Sequence, residues 1–544
     1  MRTRLSIALL ALSPFATALA QATNGAPRVQ TANGTLEGTT LPSGVKAFRG
    51  VPFADAPVGA NRWRPPQPVK NWTGVRKADQ FANQCMQARV FGDMNFRNPG
   101  MSEDCLYLNV WVPPTAKAGQ NLPVLVYYYG GGFIAGDGSE PRYDGESMAK
   151  RGIIVVTTSY RLGIFGFFSH PELTAESPNH ASGNYTLMDG AAALKWVQAN
   201  ISRFGGNPKH VTIAGESAGS FAVSAQMASP MARDLIAGAI GESGAFFSTT
   251  IATPTRDSTE KLGVVFAQTV GAPNLAALRA IPDTALLRMS SRQGQGIPRF
   301  GPNVDGYFFP DVPAKIFAAG QQAKVPLLAG WNSEEMNSRA ILPETPNSEN
   351  VKALLTKMFP RNTDAAAKVF PASTPEEAQQ SATDLASDRF IGFSTWKWLD
   401  VHAKTSGKPV YRYLYARPRP ATVEAGVTPN LAGGVTRGGN APAAPAAKGA
   451  VHSAEIEYAM GNLGTNKVFK WSDEDYKVSQ TMQGYFANFI KTFNPNGAGL
   501  PKWPVGNPDA SGNVQRIRID VDTRAEAEPR ARYLLQDEVY SAER

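Results

Sequence analysis

Val211-Thr-Ile-Ala-Gly-Glu-Ser-Ala-Gly-Ser220 is the stretch on which the reading of this 544-residue chain turns. Val211 to Ala214 are β-branched or small and predict a buried strand. Gly215-Glu-Ser-Ala-Gly219 then has the form of a strand-to-helix elbow, in which a strained turn lifts the middle serine clear of a sheet edge. Gly215 and Gly219 remove Cβ atoms where such a turn crowds its neighbours. Ala218, Ser220 and Ala222 are small enough to let the next helix lie against the sheet. The same pentapeptide also fits an ordinary small-residue turn, so its meaning depends on the rest of the chain.

That context is an alternation of strands and helices. Residues 124–129, 153–160 and 211–215 are rich in Val, Ile and Tyr and predict buried strands, as do 237–241, 326–330 and 409–415. Between two of them, Ala193, Trp196, Val197, Ile201 and Phe204 recur at helical spacing and stop at Gly205-Gly206. The expectation is an α/β fold with a large, mostly parallel central sheet flanked by helices, carrying long loop insertions. With 42% hydrophobic and 18% charged residues, the chain can fill a large core. We expect one catalytic domain over 21–544. Residues 421–450 are mostly Ala, Gly, Pro, Val, Thr and Asn, cannot bury much surface, and predict a mobile loop insertion.

The first twenty residues read as an export signal. Arg2 and Arg4 precede an apolar stretch from Leu5 to Leu12, and Ala18-Leu19-Ala20 forms a small-x-small cleavage site before Gln21. Cleavage after Ala20 would deliver a secreted or periplasmic protein. No run of about 18 apolar residues is present to span a bilayer. In an oxidising compartment Cys85 and Cys105, the only two cysteines, are expected to form a disulfide. They offer no metal or redox motif, and no cofactor is implied. The net charge of +9 includes Arg2 and Arg4, and no basic block is interleaved with aromatics. Nucleic acid is therefore not the expected partner.

A serine nucleophile needs a base, and the chain has five histidines. His170, His180 and His210 precede Ser217, whereas in elbow hydrolases the order is Ser, acid, His. His402 falls in a helical pattern, Thr395-Trp-Lys-Trp-Leu-Asp-Val-His402, and reads as a surface residue. His452 sits between strand 409–415 and a following helix, where a base hangs from the carboxyl end of a sheet. The strand at 326–330 runs into Ser333-Glu334-Glu335, and either glutamate suits the acid. Tyr129-Gly-Gly-Gly-Phe133 follows strand 124–129, and its bare backbone, with the Ala218 N–H, suits an oxyanion.

These residues resemble the type-B carboxylesterase family, which includes the cholinesterases. The matching segments run through nearly the whole chain: Phe48-Arg-Gly-Val-Pro-Phe-Ala54, Ser102-Glu-Asp-Cys-Leu-Tyr-Leu-Asn109, Tyr129-Gly-Gly-Gly-Phe133, Tyr160-Arg-Leu-Gly-Ile-Phe-Gly166, Phe204-Gly-Gly-Asn-Pro208, Gly215-Glu-Ser-Ala-Gly219 and His452-Ser-Ala-Glu-Ile-Glu-Tyr458. The resemblance implies an α/β-hydrolase fold, a Cys85–Cys105 disulfide and a Ser-Glu-His triad at Ser217, Glu335 and His452. It also implies oxyanion donors at Gly131, Gly132 and Ala218, a small-molecule ester as substrate, and hydrolysis through an acyl-enzyme. Two departures stand out: Glu335-Met336 where the family has an acid and Gly, and Gly219-Ser220 where Gly-Gly is common. Residues 86–104 hold no tryptophan, only Phe91 and Phe96 as aromatics, so the choline site of the cholinesterases is not implied.

Other readings are available. Relatives on this fold include non-catalytic binding or adhesion proteins, which typically lose the nucleophile that Ser217 retains. Ser147-Met-Ala-Lys150 and Ser394-Thr-Trp-Lys397 match a Ser-x-x-Lys pair but read better as helix-face residues. The 421–450 loop leads into His452: the plain reading is a disordered surface insertion, and the alternative is a lid or part of an acyl or alcohol pocket at the site entrance, with Arg437 and Lys448, and Arg417 and Arg419 just upstream, placed to attract anionic esters.

Overall fold

The structure, a computed structural model, describes residues 25–91, 94–247, 253–292, 297–430, 434–437 and 447–542. The expected export signal at 1–20 and much of the centre of 421–450 lie outside the described residues.

An eleven-stranded sheet organises the molecule. Its order is Arg524–Ala527, Gln515–Ile519, Val410–Tyr415, Leu327–Asn332, Gly238–Glu242, Gly206–Glu216, Leu122–Tyr128, Ile154–Thr158, Tyr107–Val112, Lys46–Pro52 and Thr39–Thr40. Every pairing from Gln515–Ile519 across to Ile154–Thr158 is parallel, and antiparallel strands close both edges. This is the mostly parallel sheet expected from the sequence. Its central strands, such as Ile154–Thr158 and Leu327–Asn332, are buried along their whole length. A parallel sheet covered by helices on both faces requires such continuous apolar runs.

The helix Tyr185–Asn200 follows the expected apolar positions, continues as a tighter turn through Phe204, and ends at Gly205 in a left-handed conformation (φ 96°). A fully buried ion pair, Arg161 Nη2 to Asp189 Oδ1 at 2.7 Å, ties this helix to the loop after strand Ile154–Thr158. The core is one large apolar cluster, with a smaller one formed by Leu342, Val351, Leu355, Phe359 and their neighbours. Cys85 and Cys105 form a disulfide. No helix among the described residues is long and apolar enough to cross a membrane.

His402 corrects the sequence reading. It lies on the helix Phe393–Thr405 as expected but is fully buried, its Nε2 2.8 Å from the Val325 carbonyl. Burial, only partly offset by that carbonyl, lowers its pKa to about 4.

Candidate active site

Strand Gly206–Glu216 and helix Ala218–Ala228 meet at Ser217, whose φ of 54° and ψ of −122° lie outside the relaxed regions for an L-residue. Two contacts explain the strain. The Ser217 N–H donates to the Glu242 carbonyl at 2.8 Å, continuing the sheet ladder past the strand end. A Cβ at Gly219 would sit 2.0 Å from the Tyr128 carbonyl oxygen, so only glycine lets the helix start this close to the neighbouring strand. Ser220, the departure noted in the sequence, is fully buried, and its hydroxyl donates to the Gly244 carbonyl. The extra hydroxyl therefore pins the elbow helix to the turn after strand Gly238–Glu242.

His452 Nε2 is 2.9 Å from Ser217 Oγ, and its Nδ1 is 2.6 Å from Glu335 Oε2. Glu335 is completely buried; its other oxygen accepts from the Asn332 N–H at 2.6 Å and from Ser243 Oγ at 2.5 Å. Glu334 points elsewhere. Its carboxylate accepts from the Lys448 N–H at 3.1 Å, its N–H donates to the Ala450 carbonyl at 2.8 Å, and Ser333 Oγ accepts from the Ala450 N–H at 2.9 Å. The two adjacent acids thus divide the work: Glu335 meets the imidazole, and Glu334 holds the loop that carries it.

Phe390 closes the far side of the ring, edge-on to His452 with centroids 4.9 Å apart. It stands on a π-helical turn, Asp388–Gly392, that interrupts two α-helices. Turns of this kind are frequent at functional sites because the extra residue re-aims a side chain.

Gly131 (φ 117°) and Gly132 (φ 63°) lie between Tyr129 and Phe133 as expected. The backbone N–H groups of Gly131, Gly132 and Ala218 donate to no acceptor among the described residues. All three residues line the same cavity as Ser217 and His452, about 450 Å³ in volume. Orphan N–H groups are rare inside proteins, and these three belong to residues that line one cavity.

The cavity is otherwise mostly apolar, walled by Phe91, Met94, Phe133, Phe221, Phe390 and Ile391. Met336, the other departure, also lines it, so a thioether fills space that a glycine would leave. Phe91 comes from the disulfide-closed segment; Phe96 is not among the lining residues.

The sequence reading missed the buried acids Glu216, Glu242 and Glu455, of which Glu216 joins Glu335 beside the imidazole. Glu216 Oε1 lies 3.2 Å from His452 Nε2. Burial pushes the Glu216 carboxyl up to about 7 against the opposing pull of His452 and Arg142. Burial and the Glu216 charge push Glu242 to about 8, and burial with its acidic neighbours drives Glu455 well above the usual carboxylate range. Burial disfavours the His452 imidazolium, but Glu216 and Glu335 outweigh it and hold the ring above its ordinary 6.5. Glu216 and Glu455 stand inside the two motifs quoted above, yet nothing in their spacing said that they would converge. Ser243, with φ of 60°, carried no sequence signal beyond its glycine neighbours.

The 421–450 segment contributes no described residue to the cavity wall. Its base is tied by Val423 N–H to the Val468 carbonyl at 2.8 Å, and Thr428–Pro429 pairs with Val435–Thr436. Arg417 pairs with Asp475 at 2.8 Å, Arg419 with Glu457 at 3.2 Å and Arg437 with Glu424 at 2.6 Å. Those three arginines are already neutralised and do not form the anion-attracting rim expected from the sequence. Among the described residues no group of three or more His, Cys, Asp or Glu could hold a metal ion.

The model of the carboxylesterase family matches residues 25–533. Fumonisin B1 esterase of Sphingopyxis macrogoltabida is 34% identical over 486 residues, 87% of this chain and 83% of that protein. Carboxylesterase 5A of Canis lupus familiaris is 33% identical, covering 90% and 83%. Among solved structures, a PNB esterase superposes with a TM-score of 0.76 at 30% identity, covering 94% of this chain and 99% of the other. A carboxylesterase of Geobacillus stearothermophilus gives 0.75 at 28%, covering 93% and 99%.

Proposed function

The chain belongs to the carboxylesterase family and is a serine carboxylic ester hydrolase, and from that premise we propose that Ser217, His452 and Glu335 carry the reaction. Ser217 Oγ attacks the ester carbonyl while His452 Nε2 takes its proton. The N–H groups of Gly131, Gly132 and Ala218 receive the oxyanion, and Glu335 stabilises the imidazolium. His452 then protonates the leaving alcohol, the acyl group stays on Ser217, and water repeats the cycle to release the acid. The observation that carries this reading is the unbroken run of contacts from Ser217 Oγ through both ring nitrogens of His452 to Glu335.

We further read residues 1–20 as a cleaved signal and the rest as one catalytic domain of a secreted or periplasmic enzyme. The Cys85–Cys105 disulfide supports an oxidising destination. No observation favours the non-catalytic alternative. A fluorophosphonate probe tests the proposal: it should label the protein stoichiometrically at Ser217, and labelling elsewhere or none would contradict it. N-terminal sequencing of exported protein should begin at Gln21; a sequence beginning at Met1 would remove the signal-peptide reading.

A further inference from the structure

Four arginine, glutamate or histidine side chains line the cavity among the described residues: Arg142, Glu216, Arg299 and His452. Three are engaged with one another or with neighbours, His452 with Ser217, Glu335 and Glu216, and Arg142 with Glu140 at 3.0 Å. Arg299 differs. It is solvent-exposed, and it has no ion pair or hydrogen bond with any described residue.

Its position is nevertheless fixed from both sides. Ile297 and Phe300 pack against the main core, Phe300 meeting Phe168 and Phe266 edge-on at 5.6 and 5.4 Å. A few residues on, Asn303 donates to Thr259 Oγ1 at 2.7 Å, and the Val304 N–H donates to the Pro254 carbonyl at 2.8 Å. Arg299 is therefore a guanidinium without an ion-pair partner among the described residues, presented by a pinned backbone to a mostly apolar cavity, and its solvent exposure leaves it open to an anion on an entering substrate.

We propose that Arg299 is a specificity residue that binds a carboxylate on the substrate, so that the preferred esters carry a free carboxylate on their acyl or alcohol part. The planar guanidinium fork matches a carboxylate in two parallel hydrogen bonds, whereas a neutral ester gives it only a carbonyl. The inference rests on the Ser217 mechanism proposed above, and its test separates the two.

The measurement is kcat/KM of wild-type protein, Arg299→Gln and Arg299→Lys on two matched pairs. One pair is mono-p-nitrophenyl adipate and its methyl ester; the other is 4-carboxyphenyl butanoate and its methyl ester. Wild type should favour the anionic member of at least one pair. Arg299→Gln should lower that anionic-to-neutral ratio about tenfold, the lower end of what a hydrogen bond to a charged group contributes. Arg299→Lys should lie between, and added salt should shrink the wild-type preference. A ratio unchanged by Arg299→Gln in both pairs overturns the assignment while leaving the Ser217 mechanism intact. Turnover of all four esters that persists in Ser217→Ala removes the mechanism, and the Arg299 inference with it.

Discussion

Glu216 Oε1 stands 3.2 Å from His452 Nε2, the same nitrogen that meets Ser217 Oγ at 2.9 Å. The carboxylate accepts no hydrogen bond there, so its effect on the ring is that of a nearby charge. Together with Glu335 it raises the imidazole's pKa above 6.5 against the penalty of burial. The neutral ring is the base, so kcat/KM should rise with pH through a midpoint above that value. Glu216→Gln removes one of the two raising charges and should move the midpoint down. A pH–rate profile whose midpoint is the same in both proteins would contradict the role.

The division between Glu335 and Glu334 predicts unequal losses. Glu335→Gln leaves the imidazole without a partner that fixes its tautomer and supports its charge, and kcat should fall by about 10³–10⁴-fold. Glu334→Gln loosens the loop at Lys448 to Ala450 while leaving the ring's contacts in place, and should cost less than about tenfold. Steady-state rates on p-nitrophenyl butyrate decide it; the reverse order would move the acid to Glu334.

Gly219→Ala should fail for a steric reason. The new Cβ would lie 2.0 Å from the Tyr128 carbonyl oxygen and 2.8 Å from that of Tyr129, backbone atoms inside the sheet that cannot turn aside. We expect a loss of at least about 2 kcal/mol in urea unfolding, with activity falling as the elbow is displaced. Gly132→Ala is the contrast, since its Cβ meets nothing nearer than Ile134 at 3.7 Å; only its φ of 63° opposes the change. Equal stability of the two variants would refute this packing account.

His402 should make folding pH-dependent. The folded pKa of about 4 lies below the ordinary 6.5, so between those values the unfolded chain binds the extra proton. Stability from this group is complete above 6.5 and is lost as pH falls toward 4, by about 3 kcal/mol in all. The stability difference between wild type and His402→Gln, measured by urea unfolding at several pH values, should shrink over that interval on acidification. A difference that stays constant would mean that His402 is charged or solvated in the folded protein.

The sheet was legible because its central strands are buried on both faces and so appear as apolar runs: Val211 to Gly215 and Leu327 to Gly330 announce themselves without alignment. The elbow was legible because its strain demands glycine at fixed places. The placement of His402 was not, since a helix that is apolar on several sides hides whether a polar residue within it faces solvent or a carbonyl such as that of Val325. Nor were the acids around His452. Glu216 ends one strand and Glu335 follows another, and only the folded sheet brings both to one imidazole. Arg417, Arg419 and Arg437 misled because charge is visible in a sequence and neutralisation by Asp475, Glu457 or Glu424 is not. Arg299 was overlooked for the same reason reversed.

The claim on which everything else depends is that Ser217 is the nucleophile. Ser217→Ala should retain the wild-type circular dichroism and melting curve while kcat for p-nitrophenyl butyrate falls by roughly 10⁵-fold or more, the scale of losing a triad serine. Retention of more than about one per cent of wild-type turnover in the folded variant would contradict the account.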